Sequence, residues 1–232
     1  MHCKVGIICA SDEELAPFIP MLEPYTVFEK AMLNFYNGTI ECVPVTALFS
    51  GVCKTNAAIA AQLLIDSAGC NVLINSGAAG GMDAAIKLFD TVISTEAAYW
   101  DVAEDVLTEF HPWMESVYFK ADDQLIALAK RAVSDAPNVH FGRMITGEAF
   151  IDEQFRDSIN ERYSPLCVDM ETAAIAHVCH VNRIPYIAVR TVTDTAKHSG
   201  VDVFDENCGK ASAISADIVR MLLKEIKNTV WK

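Results

Sequence analysis

The sequence predicts an α/β fold in which a twisted mixed β-sheet lies between two layers of helices, a three-layer α/β/α sandwich. Largely apolar runs typical of buried strands occur at 4–10 (KVGIICA), 71–75 (NVLIN) and 184–193 (IPYIAVRTVT). Helical segments, several rich in alanine, separate the strands, which favours a mostly parallel arrangement. Each apolar run ends in polar or glycine residues, at the sheet edge where such folds bind ligands.

Length and composition narrow the class of protein. The 232 residues are 52% hydrophobic, which predicts one domain over 1–232 with a large core. The 18 basic and 31 acidic residues give a net charge of −13, which argues against nucleic-acid or anionic-membrane partners. The eight cysteines lack metal-binding spacing and are typical of a reducing cytosol. With no signal peptide and no apolar run of about 18 residues, we expect a cytoplasmic protein without a metal or cofactor.

The first strand leads into an acidic helix start. Ser11 followed by Glu14 fits a capping box, and Leu15 begins a helical apolar pattern. Glu14 is therefore either a reciprocal cap or a buried acid or base at the sheet edge. Two strands, Met32 to Thr39 and Ile40 to Phe49, are expected to meet at an Asn37-Gly38 hairpin turn.

The middle of the chain continues the alternation. A helix is predicted from the turn at 50–56 to about Ser67, and the strand at 71–75 is expected to end in a glycine-rich loop that includes Ala78 and Gly80. Further predictions are one or two strands over 88–99, a loop over 100–118, a helix over 122–133 and a strand over 140–146. Phe150 and Ile151 follow that strand, either as core residues or as the wall of a site for a flat ring.

The segment 165–179 predicts a strand-to-helix turn with Asp169 as the N-cap. Met170 and Glu171 would then lie beside the positive end of the helix, where Glu171 either stabilises its own helix or binds a substrate hydroxyl pair. The strand over 184–193 ends on Asp194, a carboxylate placed at the cleft. A polar turn carrying Phe204 and a helix over 210–227 complete the prediction.

Five ordered motifs carry a family resemblance. They are GIICASDEE at 6–14, NSGAAGG at 75–81, GEAFI at 147–151, DMETAA at 169–174 and RTVTD at 190–194. Together they resemble the 5′-methylthioadenosine/S-adenosylhomocysteine nucleosidases of the purine nucleoside phosphorylase superfamily, and the likeness covers nearly the whole chain. The resemblance implies the three-layer fold, a homodimer, a nucleoside substrate and hydrolysis of its N-glycosidic bond.

The resemblance also implies roles for individual residues. Glu14 matches the residue that activates the attacking water, and Asp194 matches the acid that protonates adenine N7. Glu171, with Met170, matches the ribose site. The remaining matches surround the base and ligand: Phe150 stacks on the base, the Ile151 backbone reads its edge, Gly80 lies near it, and Phe204 covers the ligand.

Three positions depart from the family pattern. Ala78 stands where many relatives have serine, and Cys53 replaces a glycine. Trp100-Asp101 stands where relatives usually carry His-Asp, in a region that helps to form their 5′-substituent pocket, partly across the dimer. The sequence therefore leaves the preferred 5′ group open.

Three alternatives remain open at this point. A phosphorolytic relative would need cations near the first loop, which holds none. A hydrolase for another adenine nucleoside, such as 6-amino-6-deoxyfutalosine, would need the same Glu14 and Asp194. A non-catalytic nucleoside-binding relative is supported only by the missing hydroxyl at Ala78.

Overall fold

The computed structural model describes residues 3–151, 153–197 and 201–229. Within these residues ten strands form one mixed sheet flanked by helices, which confirms the predicted α/β class. The strands are β1 (Val5–Cys9), β2 (Thr26–Lys30), β3 (Leu33–Ile40), β4 (Val43–Phe49), β5 (Val72–Gly81), β6 (Thr91–Tyr99), β7 (Phe119–Lys120), β8 (Val139–Thr146), β9 (Cys167–Asp169) and β10 (Tyr186–Asp194). The helices are α1 (Asp12–Leu15), α2 (Lys54–Asp66), α3 (Glu104–Thr108), α4 (Asp123–Ala132), α5 (Glu153–Tyr163), α6 (Thr172–Asn182) and α7 (Val201–Lys227).

Part of the sheet closes into a ring. β5 pairs with β10, β10 with β6, β6 with β8, β8 with β9, and β9 returns to β5. From β5 an open extension runs through β1 and β4 to β3 and β2. Because β1, β4, β5 and β10 are mutually parallel neighbours, their carboxyl ends meet at one edge.

Buried apolar strands and small helical residues build the core. All five residues of β1 and all nine of β10 are buried, as expected for strands covered on both faces. Alanines such as Ala57, Ala61 and Ala173 are buried on α2 and α6, and these two helices pack together. Among the described residues, no helix has the length and apolarity that crossing a bilayer requires.

The predicted hairpin turn at Asn37-Gly38 is wrong, because both residues lie inside β3. A Cβ on Gly38 would lie 2.6 Å from the Leu22 carbonyl oxygen, so glycine is needed here for close approach and not for a turn. The turns fall at Ala31-Met32 and Glu41-Cys42, whose positive φ angles of 51° and 62°, and of 50° and 66°, suit tight two-residue hairpins. Neither turn carries an Asn-Gly sequence. Because the first turn could not be recognised, strand β2 was not predicted either.

Further elements also differ from prediction, and one of them is the predicted loop over 100–118, which contains the short helix α3 (Glu104–Thr108). The glycine-rich segment after 75 is not a loop, since β5 continues through Gly81 along β10. The polar turn at 202–206 is the first part of α7. Helix α5 was not predicted, because two of its inward positions are the polar residues Arg156 and Asn160, which obscure the apolar period.

Candidate active site

A cavity of about 310 Å³ opens at the shared carboxyl edge of β1, β5 and β10. The structure places every predicted site residue on its wall. These residues are Glu14, Ala78, Gly80, Phe150, Ile151, Met170, Glu171, Asp194 and Phe204. Six separate stretches of sequence therefore converge on one cavity, as the edge position predicts.

Glu14 is held at the cavity by backbone amides. Ser11 Oγ accepts from the Glu14 amide at 3.2 Å, so the serine half of the predicted capping box is present. The Glu14 carboxylate instead accepts from the Ala10 amide at 2.5 Å and the Ala78 amide at 2.7 Å. A Cβ on Gly77 would overlap this carboxylate, so residue 77 has to be glycine for Glu14 to lie here.

Arg190 lies at the centre of the polar wall and is only 1% exposed. Its Nη1 donates to Glu14 Oε1 at 3.2 Å, and its Nη2 donates to Glu171 Oε2 at 2.9 Å. Its Nε lies 3.1 Å from Asp169 Oδ2, in an ion pair whose N–H is not aligned for a hydrogen bond. Burial opposes the charge, but the three carboxylates together raise the pKa of Arg190 above its ordinary value.

The turn after β9 differs in detail from its prediction. Helix α6 begins at Thr172, and Glu171 occupies the N-cap position without capping the helix through its side chain. Asp169 nevertheless accepts from the Glu171 amide at 3.2 Å and the Thr172 amide at 3.1 Å, so its predicted role at the free amides is retained. The Glu171 side chain is thereby free to point at Arg190 and at the Cys53 amide, 2.9 Å from its Oε1.

Burial raises the pKa of Glu171 to about 7, and the nearby charges of Asp169 and Glu14 act in the same direction. Arg190 and the Cys53 amide oppose the rise. One guanidinium is shared by three buried carboxylates, so the cluster carries more negative than positive charge. Protonation of Glu171 near neutral pH relieves this imbalance.

Asp194 ends β10 and is 8% exposed. Its Oδ1 accepts from Thr193 Oγ1 at 2.9 Å, while a Cβ on Gly80 would lie 3.2 Å from its Oδ2. Burial raises the pKa of Asp194, against the lowering effects of the Thr193 hydrogen bond and the Arg156 charge. The pKa of Asp194 therefore lies above that of an ordinary aspartate, on a carboxyl group that lines the cavity.

Two aromatic rings stand at the cavity wall. Phe150 and Phe204 meet edge to face with 6.0 Å between centroids, and Phe150 is 57% exposed. Phe150 is therefore not a core residue, and its role as the wall of a site for a flat ring stays a prediction. Its loop is braced by Asp101, which accepts from the Glu148 amide at 3.0 Å and from Lys54 Nζ at 2.9 Å.

Sequence reasoning assigned no chemistry to Arg190 or Arg156 and gave Asp169 only a capping role. The pairing of Arg190 with acidic residues could have been predicted, because a cation within an apolar strand has to be paired with carboxylates. Arg156 gave no such signal, since it lies in a helix that was not predicted. No residue between Trp100 and Tyr118 is among the described residues that line the cavity of this chain. No group of three His, Cys, Asp or Glu side chains in the described part of the chain is arranged to hold a metal ion.

Comparison with known proteins gives concordant matches. Residues 4–224 match the model of the phosphorylase superfamily. The chain is 35% identical to a 5′-methylthioadenosine/S-adenosylhomocysteine nucleosidase of Exiguobacterium over 97% of this chain and 99% of the relative, and 34% identical to that of Staphylococcus carnosus over 96% and 100%. A Colwellia psychrerythraea nucleosidase of the same description, solved with adenine, superposes with a TM-score of 0.90 at 29% identity, over 100% of this chain and 99% of the other.

Proposed function

Since the chain belongs to the phosphorylase superfamily, and within it to the 5′-methylthioadenosine/S-adenosylhomocysteine nucleosidases, we propose that it hydrolyses the N-glycosidic bond of these two nucleosides. The products are adenine and the 5′-substituted ribose. The observation that carries the proposal is the contrast between two buried carboxylates on one cavity. Glu14 accepts from two amides and a guanidinium, whereas Asp194 accepts from one hydroxyl and has a raised pKa.

These two environments suit the two ends of the reaction. Cleavage develops positive charge on the ribose and negative charge on the departing base. Asp194 donates its proton to adenine N7, which neutralises the leaving group. Glu14, held as an acceptor, takes a proton from the attacking water, and Glu171 accepts from the ribose hydroxyls. Phe150 stacks on the purine, and the Ile151 backbone reads its edge.

The cavity's charge supports water over phosphate as the nucleophile. Beside Glu14, the wall is formed by Asp12, Glu13 and Arg190. The Arg190 guanidinium is already bound to Glu14, Glu171 and Asn75. The Arg190 guanidinium is therefore not free to bind a phosphate dianion beside Glu14, and the other cation of the cavity wall, Arg156, is bound to the Gly81 carbonyl.

The test is adenine release in phosphate-free buffer. The purified protein, given 5′-methylthioadenosine, is expected to turn over without phosphate and to show no acceleration when phosphate is added. Parallel assays with S-adenosylhomocysteine, adenosine, inosine and 6-amino-6-deoxyfutalosine define the substrate class. Turnover that requires phosphate would replace hydrolysis by phosphorolysis, and activity confined to the futalosine nucleoside would reassign the substrate.

The working enzyme is proposed to be a single-domain cytoplasmic homodimer. Its eight cysteines are all unpaired, as expected in a reducing compartment. Phe110 and Trp113 are 61% and 68% exposed, and Ile59 and Val181 are also exposed on α2 and α6. Trp113→Asp should convert a dimer to a monomer in analytical ultracentrifugation, and a monomeric wild-type protein would contradict the assembly.

A further inference from the structure

We propose that Arg156 is a positioning residue for the general acid, whose charge makes Asp194 a stronger proton donor. This inference rests on the proposed function, because it assigns Arg156 a task within the same reaction. Arg156 lies on α5, lines the cavity and is 8% exposed. Among the described residues no carboxylate is bound to this buried cation, and an unpaired buried cation requires an explanation, since such residues are almost always paired.

The contacts of Arg156 hold its guanidinium at the end of β5, next to the residue that pairs with Asp194. Nη1 donates to the Gly81 carbonyl at 2.7 Å and approaches Met82 Sδ at 3.3 Å, while the buried Nε has no partner among the described residues. Gly80, the neighbour of Gly81, pairs with Asp194 across the strands. In the described part of the chain, no Lys or Arg nitrogen lies within 4 Å of the Asp194 carboxylate. The guanidinium therefore acts on the acid through space.

Other charged groups on the cavity do not cancel this effect. Arg190, on the same strand as Asp194, is already matched by Glu14, Asp169 and Glu171. Asp12, Glu13 and Asp205 also line the cavity but are solvent-exposed, so their charges are screened. Arg156 is thus the charged residue that favours the ionised form of Asp194, in accord with its lowering effect on the Asp194 pKa.

A cation here has two opposite consequences for catalysis. Asp194 has to be protonated before the reaction. Because the charge of Arg156 lowers the pKa of Asp194, it narrows the pH range in which Asp194 is protonated. As the proton passes to N7, however, the carboxylate that remains is stabilised by the nearby guanidinium. The balance follows Brønsted behaviour, in which a stronger acid gives faster proton transfer over a smaller pH range.

The test compares pH profiles of kcat/KM on 5′-methylthioadenosine for Arg156→Gln and Arg156→Lys. Gln is neutral and retains a donor for the Gly81 carbonyl, whereas Lys retains the charge. For Arg156→Gln we expect the alkaline limb to move up by about one pH unit and the plateau to fall by about three- to ten-fold. Arg156→Lys should keep the limb within about 0.3 unit of wild type. Arg162→Met, which removes an exposed cation from the same helix, is the matched control and should leave the profile unchanged.

A second readout does not depend on turnover. Adenine binding, measured by calorimetry across pH, should weaken at a pH about one unit higher in Arg156→Gln than in wild type, because the protonated acid donates to N7. A lowered plateau with an unmoved limb in both Arg156 variants would show a merely structural role and overturn the inference. If wild-type protein released no adenine at any pH, the proposed function itself would fail, which separates the two outcomes.

Discussion

Glu14 Oε1 lies 3.2 Å from Arg190 Nη1, which joins the first helix of the chain to a strand 176 residues later. Both side chains are buried, at 4% and 1% exposure. This contact makes the position of the proposed base depend on the tertiary fold rather than on its local helix. A substitution at Glu14 can therefore separate chemistry from helix capping.

Glu14→Gln should lower kcat by at least about 10²-fold while the fold remains intact, because the amide keeps the shape but cannot act as a base. Adenine release gives kcat, and circular dichroism with a melting curve reports the fold. Ser11→Ala is the matched control: it removes the cap seen at the Glu14 amide and should lower stability by about 1 kcal/mol with little change in kcat. Near-normal kcat in Glu14→Gln would mean that another group activates the water.

Gly77→Ala should displace the Glu14 carboxylate and lower kcat by at least about tenfold, because the added Cβ would occupy the carboxylate's place. Gly69→Ala provides a contrast, since nothing lies within 4 Å of its added Cβ although its φ is +69°. Backbone strain of about 1–2 kcal/mol should lower the melting temperature of Gly69→Ala and spare kcat. Equal kinetics in the two variants would contradict the packing of Gly77 against Glu14.

Asp194→Asn should nearly abolish cleavage while adenine nucleosides still bind, because the amide occupies the same place but is not an acid. Single-turnover kinetics and calorimetric titration separate chemistry from affinity. Thr193→Val is a companion variant, because it removes a hydrogen bond that lowers the pKa of Asp194. The alkaline limb of the kcat/KM profile of this variant should therefore move to higher pH. An active Asp194→Asn enzyme would show that leaving-group protonation comes from elsewhere.

Base choice should favour 6-aminopurines. In the proposed pose the Ile151 carbonyl accepts from the exocyclic amine, and a 6-oxo group would set two acceptors against each other, which costs about 1–3 kcal/mol. We expect 5′-methylthioadenosine to exceed 5′-methylthioinosine by at least about tenfold in kcat/KM, since each 1.36 kcal/mol is tenfold. Equal kcat/KM values for the two nucleosides would show that Ile151 and Asp194 do not select the purine base.

The stability of the protein should respond to Glu171. Its pKa is raised from an ordinary value of 4.5 to about 7, so the favourable protonated state is fully present below pH 4.5 and is lost as pH rises through 7. Glu171→Gln removes this titration, so its free energy of unfolding relative to wild type should rise by about 1–3 kcal/mol between pH 4.5 and pH 8. Urea unfolding at the two pH values measures the difference, and a constant difference would place the titration on another group.

The sequence allowed prediction of the site's members better than of its internal geometry. The apolar runs locate the strands, and the carboxyl ends of parallel strands meet at one edge of the sheet. Asp194 and Glu14 could be predicted as site residues because each follows or ends such a run. The orientation of Glu171 could not be predicted, since it depends on Arg190 from another strand and on the Cys53 amide. Helix α5 and the true hairpin turns were missed because Arg156 packs polar atoms inward and because Glu41-Cys42 adopts positive φ without glycine.

The ring of strands has a consequence for aggregation. Strands β5, β10, β6, β8 and β9 close on one another, so the long unpaired edge of the described sheet lies at β2. All five residues of β2 are exposed, including Val27 and Phe28. Such an edge is a template for pairing with another chain, and the neighbouring charges of Glu29 and Lys30 oppose it. Under destabilising conditions, intermolecular strand addition is therefore expected to begin at β2, far along the sheet from the closed ring.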